Sequence, residues 1–233
     1  MADLTQTLKA SANPEKVKVY QRFFKTGKGE YGEGDVFLGL AVPETRKIAK
    51  EFLHLSFEEI KKHLQSKYHE ERLAALLILV ERYKNTKEEK IKKQIVNFYL
   101  DNAKFINNWD LVDLTADKIL RDYLLNKEKN ILCALAKSDN LWERRIAIIS
   151  TFEFIKSKQF EDTFKISELL LNDNHDLIHK AVGWMLREAG KRDVNVLEYF
   201  LKTHYKKMSR IALRYATEKF PEEKRRRYLR GDI

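Results

Sequence analysis

The chain is short of the residues that staple, break or bend a fold: one cysteine, three prolines and eight glycines in 233 residues. A single cysteine, Cys133, excludes an internal disulfide and a thiolate zinc site. Its place in the apolar run ILCALA predicts a buried thiol, and a reducing cytoplasm fits. No stretch approaches the ~18 apolar residues of a membrane span, and the opening MADLTQTLKA is too short and too polar for a secretory signal. The expectation is a soluble, unprocessed, monomeric protein of the cytoplasm. Common catalytic signatures are missing too. Nothing resembles the GxSxG elbow of a nucleophilic serine or the HExxH of a zinc hydrolase. His175 and His179 share a helix face in HDLIH, but no third ligand is evident, so neither a metal nor a cofactor is expected. Four of the eight glycines crowd into TGKGEYGEGD (26–35), which reads as a flexible connecting loop, with a nucleic-acid or lid contact as the alternative. No strand precedes it and no Lys-Ser or Lys-Thr follows, so it is not a phosphate-cradling P-loop.

What remains is helical. Segments such as HEERLAALLILVERY (69–83) and HDLIHKAVGWMLREAG (175–190) repeat their apolar residues with a period near 3.6. Capping boxes are predicted at Ser56 with Glu59 and at Thr86 with Glu89, and about a dozen helices are expected. Ala75, Leu111, Ala147 and Gly183 lie 36 residues apart at the centres of successive helices, each expected to be a long helix after a shorter one. This spacing predicts an all-α superhelix of HEAT-like repeats, one domain over 1–233, forming a curved solenoid with a basic concave face.

The charge is one-sided: 45 Lys and Arg oppose 35 Asp and Glu, a net +10. From residue 175 onward there are 15 basic residues against 8 acids. Such a surplus suggests a polyanion partner. Lys180, Arg187, Lys191, Arg192, Lys206, Arg210 and Arg214 lie in or beside amphipathic helices of this end, and some of them are expected to face a nucleic-acid backbone. The run KRRR (224–227) reads as a solvated tail.

Within NNWDLVDLTA, a helical wheel places Asp113 about 40° from Trp109, at the margin of a stripe formed by Leu111, Val112, Thr115, Ala116 and Ile119. Asp110 and Asp117 fall further toward solvent. Under the 36-residue register Arg145 is the counterpart of Trp109. Trp184 follows Gly183, whose missing side chain permits close approach of a neighbour. Taken singly, each tryptophan reads as a core residue and Asp113 as a helix-flank charge.

Taken together, NNWDLVDLTA, SDNLWERRIAI and HKAVGWMLRE, with FLGLAVPETRK near the start, resemble the AlkD-like alkylpurine DNA glycosylases of the HEAT-like repeat superfamily. The resemblance covers nearly the whole chain. It implies that Trp109 and Trp184 are cleft aromatics, Asp113 the catalytic carboxylate and Arg145 the DNA-contacting arginine. Phe23 of YQRFFK stands where relatives carry a tyrosine, so that hydroxyl is absent, and the glycine-rich 26–35 insertion is a second departure. The implied partner is double-stranded DNA bearing alkylated purines, with no obligate protein partner. The implied activity is monofunctional glycosylase action on 3-methyladenine- or 7-methylguanine-type lesions in base excision repair. A non-catalytic repeat protein that binds distorted or branched DNA is the alternative.

Overall fold

The computed structural model describes residues 3–125 and 129–233. The chain divides into two units, the first ending at Ile119 and the second beginning at Leu120. The first holds α1 (Leu4–Ala10), α2 (Pro14–Phe23), α3 (Val42–Glu51), α4 (Phe57–Leu64), α5 (His69–Asn85), α6 (Glu89–Asp101) and α7 (Trp109–Asp113). The boundary falls within α8 (Ala116–Leu125). The second holds α9 (Asn130–Ala136), α10 (Leu141–Ile149), α11 (Phe152–Lys156), α12 (Glu161–Leu170), α13 (Asp176–Arg192), α14 (Val194–His204), α15 (Arg210–Ala216) and α16 (Glu222–Arg230). Among the described residues the only extended pairing is an isolated parallel bridge between Val36 and Tyr68.

Each unit is organised around one 17-residue helix, α5 in the first and α13 in the second. In the first, α1, α3, α4, α6 and α7 pack on α5; in the second, α10, α11, α12, α14 and α15 pack on α13. Helix α5 is buried on all sides, because LAALLILV leaves no polar face to turn outward. Successive helices covering a shared inner helix are the packing of an α–α repeat protein.

All four positions of the 36-residue register are helical and buried: Ala75 in α5, Leu111 in α7, Ala147 in α10 and Gly183 in α13. A Cβ on Gly183 would stand 2.4 Å from the Ala212 carbonyl oxygen and 2.5 Å from Cβ of Tyr215, so α15 approaches closely where the sequence predicts a close neighbour. The expected long helix is absent at α7, which has only five residues. Thr115 ends it: its hydroxyl bonds back to the Leu111 carbonyl and its N–H goes to Val112 rather than one residue further back.

Breaks of this kind also raise the number of α-helices to sixteen among the described residues. The capping box at Ser56 and Glu59 forms as expected. That at Thr86 does not, since α6 starts at Glu89 and Thr86 Oγ1 accepts instead from the Glu88 N–H at 3.2 Å. Cys133 is half-buried rather than buried. KRRR is no tail either: it lies within α16, with Lys224 paired to Glu198 and both Arg225 and Arg226 paired to Glu222.

Candidate active site

Helix α7 presents Trp109 and Asp113 one turn apart, and both line a pocket of about 400 Å³ in the first unit. Asn108 sets the start of this helix. Its side-chain oxygen accepts from the Trp109 N–H at 2.8 Å while its amide nitrogen donates to Asp35 at 3.2 Å. Trp109 and Asp113 are half-buried, and Leu111, Val112, Thr115, Ala116 and Ile119 are buried, as the wheel predicts. Asp110 and Asp117 depart from it, being 5% and 2% exposed. A wheel assumes one unbroken helix, and the break after Asp113 removes that assumption; the first turn of α7 docks instead on the head of α5.

The pocket is walled by aromatic rings. Phe24 stacks on Trp109 (centroids 5.1 Å, planes 20° apart) and on Phe37 (5.1 Å, 20°), and Phe37 stacks on His69 (4.6 Å, 23°). Phe23 meets the edge of Trp109 at 5.6 Å and is 61% exposed, so it stands at the rim. Tyr20, one turn earlier on α2, lines the same pocket, which therefore has a tyrosine although Phe23 is not one.

Beneath the rings lies a buried ionic network. The His69 ring bridges two carboxylates, with Nε2 2.8 Å from Asp110 and Nδ1 3.2 Å from Asp35, while Arg72 donates to Asp35 at 2.6 Å. Burial by itself would lower the His69 pKa; the adjoining Asp110 and Asp35 outweigh it and raise the group to about 9, so the ring is an imidazolium at neutral pH. Burial would likewise push Asp35 up, but His69, Arg72 and Asn108 together hold it below the ordinary aspartate value. The glycine-rich loop thus ends in a buried anchor. It is also tied within itself, by Gly27 N–H to Glu30 and Gly29 N–H to Glu33.

Glu70, 1% exposed, accepts from three successive backbone N–H groups, those of Leu38, Gly39 and Leu40, at 2.9, 2.8 and 3.2 Å. Gly39 is required in that loop. Its φ is +86°, and a Cβ would stand 2.1 Å from the Asn13 carbonyl oxygen.

Other predicted site residues belong to the second unit. Trp184 is half-buried on α13, 6.3 Å from the Phe152 ring. Arg145 is 5% exposed and donates to the Leu177 carbonyl, tying α10 to the first turn of α13. Arg187 pairs with Glu218, Lys191 with Glu188 at 2.6 Å, and Arg210 donates to the Leu229 carbonyl. Lys180 and Arg214 line a shallow hollow that also contains Glu218. Arg192 and Lys206 are exposed, the latter 5.8 Å from the Tyr205 ring centroid. His175 is the N-cap of α13, its Nδ1 accepting from the Leu177 N–H at 3.1 Å.

Sequence reasoning does not single out Phe24, Phe37, Asp35, His69, Glu70 or Asp110. One signal was present in HEERLAALLILV: eight apolar residues in a row mean a helix buried all round, so the four charged residues at its head are drawn inside and need partners.

No curated protein matches the chain. It is similar to the solved structure of a predicted DNA alkylation repair enzyme from Enterococcus faecalis, with 18% identity and a TM-score of 0.71 over 91% of this chain and 97% of that one. At that identity the likeness speaks to fold alone. The profile of the DNA alkylation repair enzyme family matches residues 4–220. With nearly its whole length matched, the chain belongs to the DNA alkylation repair enzyme family.

Proposed function

We propose that this protein is a monofunctional DNA glycosylase that hydrolyses the N-glycosidic bond of cationic alkylated purines, of 3-methyladenine or 7-methylguanine type, in duplex DNA. One observation carries the reading: Asp113 and Trp109 line one aromatic pocket from adjacent turns of the same helix. The residues that line the pocket include three carboxylic side chains, Glu70, Asp110 and Asp113, against one imidazolium, His69, a balance that suits a cationic substrate.

A purine alkylated at the 3 or 7 position already carries positive charge, so it leaves as a neutral base without being protonated. Neither a general acid nor a cofactor is required, which is why one carboxylate suffices where sugar hydrolases use two. As the C1′–N bond stretches, positive charge moves onto the deoxyribose. An ionised Asp113 beside it favours that state over the reactant. In this mechanism Asp113 orients a water molecule, which forms the new C1′–O bond and releases its proton to bulk solvent. The face of Trp109 adds cation attraction of ~0.5 to 2 kcal/mol. Trp184 is the second indole in this reading. Arg145 fixes the α10–α13 junction that carries Trp184, and the basic residues of the second unit supply salt-sensitive affinity for the backbone. Among the described residues no lysine lines the pocket to supply an amine for a Schiff base, so the proposed reaction is hydrolysis without strand cleavage.

The test is release of 7-methylguanine from methylated duplex. Asp113→Asn should lose about 10²- to 10³-fold in rate while still binding DNA. Undiminished excision by the variant would overturn the assignment. Binding by both proteins without excision by either would favour the non-catalytic DNA-binding reading.

A further inference from the structure

The cations expected from the sequence to meet DNA all lie at or beyond residue 145, yet the rim of the aromatic pocket has basic ground of its own. Two hollows adjoin it. One is lined by Lys18, Val19, Arg22 and Phe23 of α2, and shares Phe23 with the pocket. The other is lined by Val42, Pro43, Arg46, Lys47 and Lys50 of α3, and shares Val42 and Pro43 with it. Among the described residues no carboxylate lines either hollow, in contrast to the hollow of Lys180 and Arg214, which contains Glu218. The nearby acid Glu44 is otherwise engaged, accepting from the Ala41 N–H at 2.7 Å and lying 4.0 Å from Lys16.

Helix α2 has no buried residue, and its outer face combines cations with two largely exposed apolar side chains, Val19 at 62% and Phe23 at 61%. A helix turned outward in this way is poorly explained by core packing and suits a partner that is both anionic and able to receive a ring. Lys18 and Arg22 are spaced i, i+4, as are Arg46 and Lys50, so each pair projects along one helix face.

We infer that the first unit carries its own DNA-backbone clasp: Lys18 and Arg22 on one side of the pocket mouth, and Arg46, Lys47 and Lys50 on the other, hold the phosphates that flank the nucleotide presented to Trp109 and Asp113. The inference rests on the glycosylase reading for the choice of DNA, but its test does not depend on catalysis.

Binding of an undamaged, dye-labelled DNA duplex is measured by fluorescence anisotropy over a range of salt. For each phosphate that a variant no longer neutralises, the slope of log affinity against log salt flattens by ~0.9. Lys18→Gln with Arg22→Gln, and separately Arg46→Gln with Lys50→Gln, should each weaken binding and flatten that slope by nearly 2. Lys18→Arg with Arg22→Lys should retain it, because charge is conserved. Unchanged thermal unfolding of the glutamine variants verifies that the fold is intact. Wild-type slopes in both glutamine pairs would overturn the clasp, as would tighter binding to an acidic peptide than to the duplex. Loss of excision in Asp113→Asn together with flattened slopes in the glutamine pairs would support both readings, whereas excision that survives Asp113→Asn would sink the catalytic assignment and leave the clasp standing.

Discussion

Trp109 shows how one residue can resemble core and still line a pocket. Phe24 covers one of its faces and Phe23 meets its edge, yet it remains half-buried against the pocket. Trp109→Ala should lower kcat/KM for excision about 2- to 30-fold, the range expected when one cation–π interaction of ~0.5 to 2 kcal/mol is removed. Trp109→Phe should lose less, and equal losses in the two variants would argue against a role for the ring face. Gly39 is constrained from two directions, by its positive φ and by the Asn13 carbonyl. Gly39→Ala should therefore cost at least ~1–3 kcal/mol in a denaturant titration. Of these two residues, Trp109 was legible from its context and Gly39 was not, because the sign of a φ angle and the proximity of Asn13 are properties of the folded loop.

At the scale of elements, α7 depends on its neighbours. Its five residues are too few for a stable isolated helix, and it is held by Asn108 at its start and by Asp110 on the His69 ring. Removing one partner of a buried pair leaves the other charge uncompensated, so His69→Gln should destabilise the protein by about 3–5 kcal/mol. The pH dependence has a defined sign. His69 is raised from 6.5 to about 9 in the folded chain, so its contribution is complete below pH 6.5 and is lost as pH rises through about 9. Wild-type stability should fall over that window by on the order of 3 kcal/mol, at ~1.4 kcal/mol per pH unit, relative to His69→Gln. Parallel pH profiles for the two proteins would show that the bridge is not a source of stability. Helix periodicity predicted α5 and α13 closely, since their apolar runs are long. It mispredicted the surroundings of α7, because a wheel cannot see a break made by Thr115 bonding backward.

For the whole molecule the relevant quantity is charge. The net +10 predicts salt-sensitive DNA affinity, but pairing decides which cations contribute. Arg187 is matched by Glu218, and Lys191 by Glu188. Lys180→Gln with Arg214→Gln should flatten the salt slope of duplex binding by more than Arg187→Gln does, although Glu218 in their hollow offsets part of their charge, and the reverse ranking would contradict a role for pairing. Among the described residues no helix is long and apolar enough to cross a membrane.

The sequence by itself determined the helical texture and the burial of four helical positions spaced 36 residues apart, and it brought Trp109 and Asp113 to one side of a helix, because these depend only on periodicity along the chain. Tertiary structure alone decided that Asp35, His69 and Asp110, 34 and 41 residues apart in their contacts, meet beneath that pair. It also decided that aromatic rings from α2 and the following loop close the pocket around them. Contacts between distant segments leave no period to read, and a buried charge reveals its partner only when both have been removed from water.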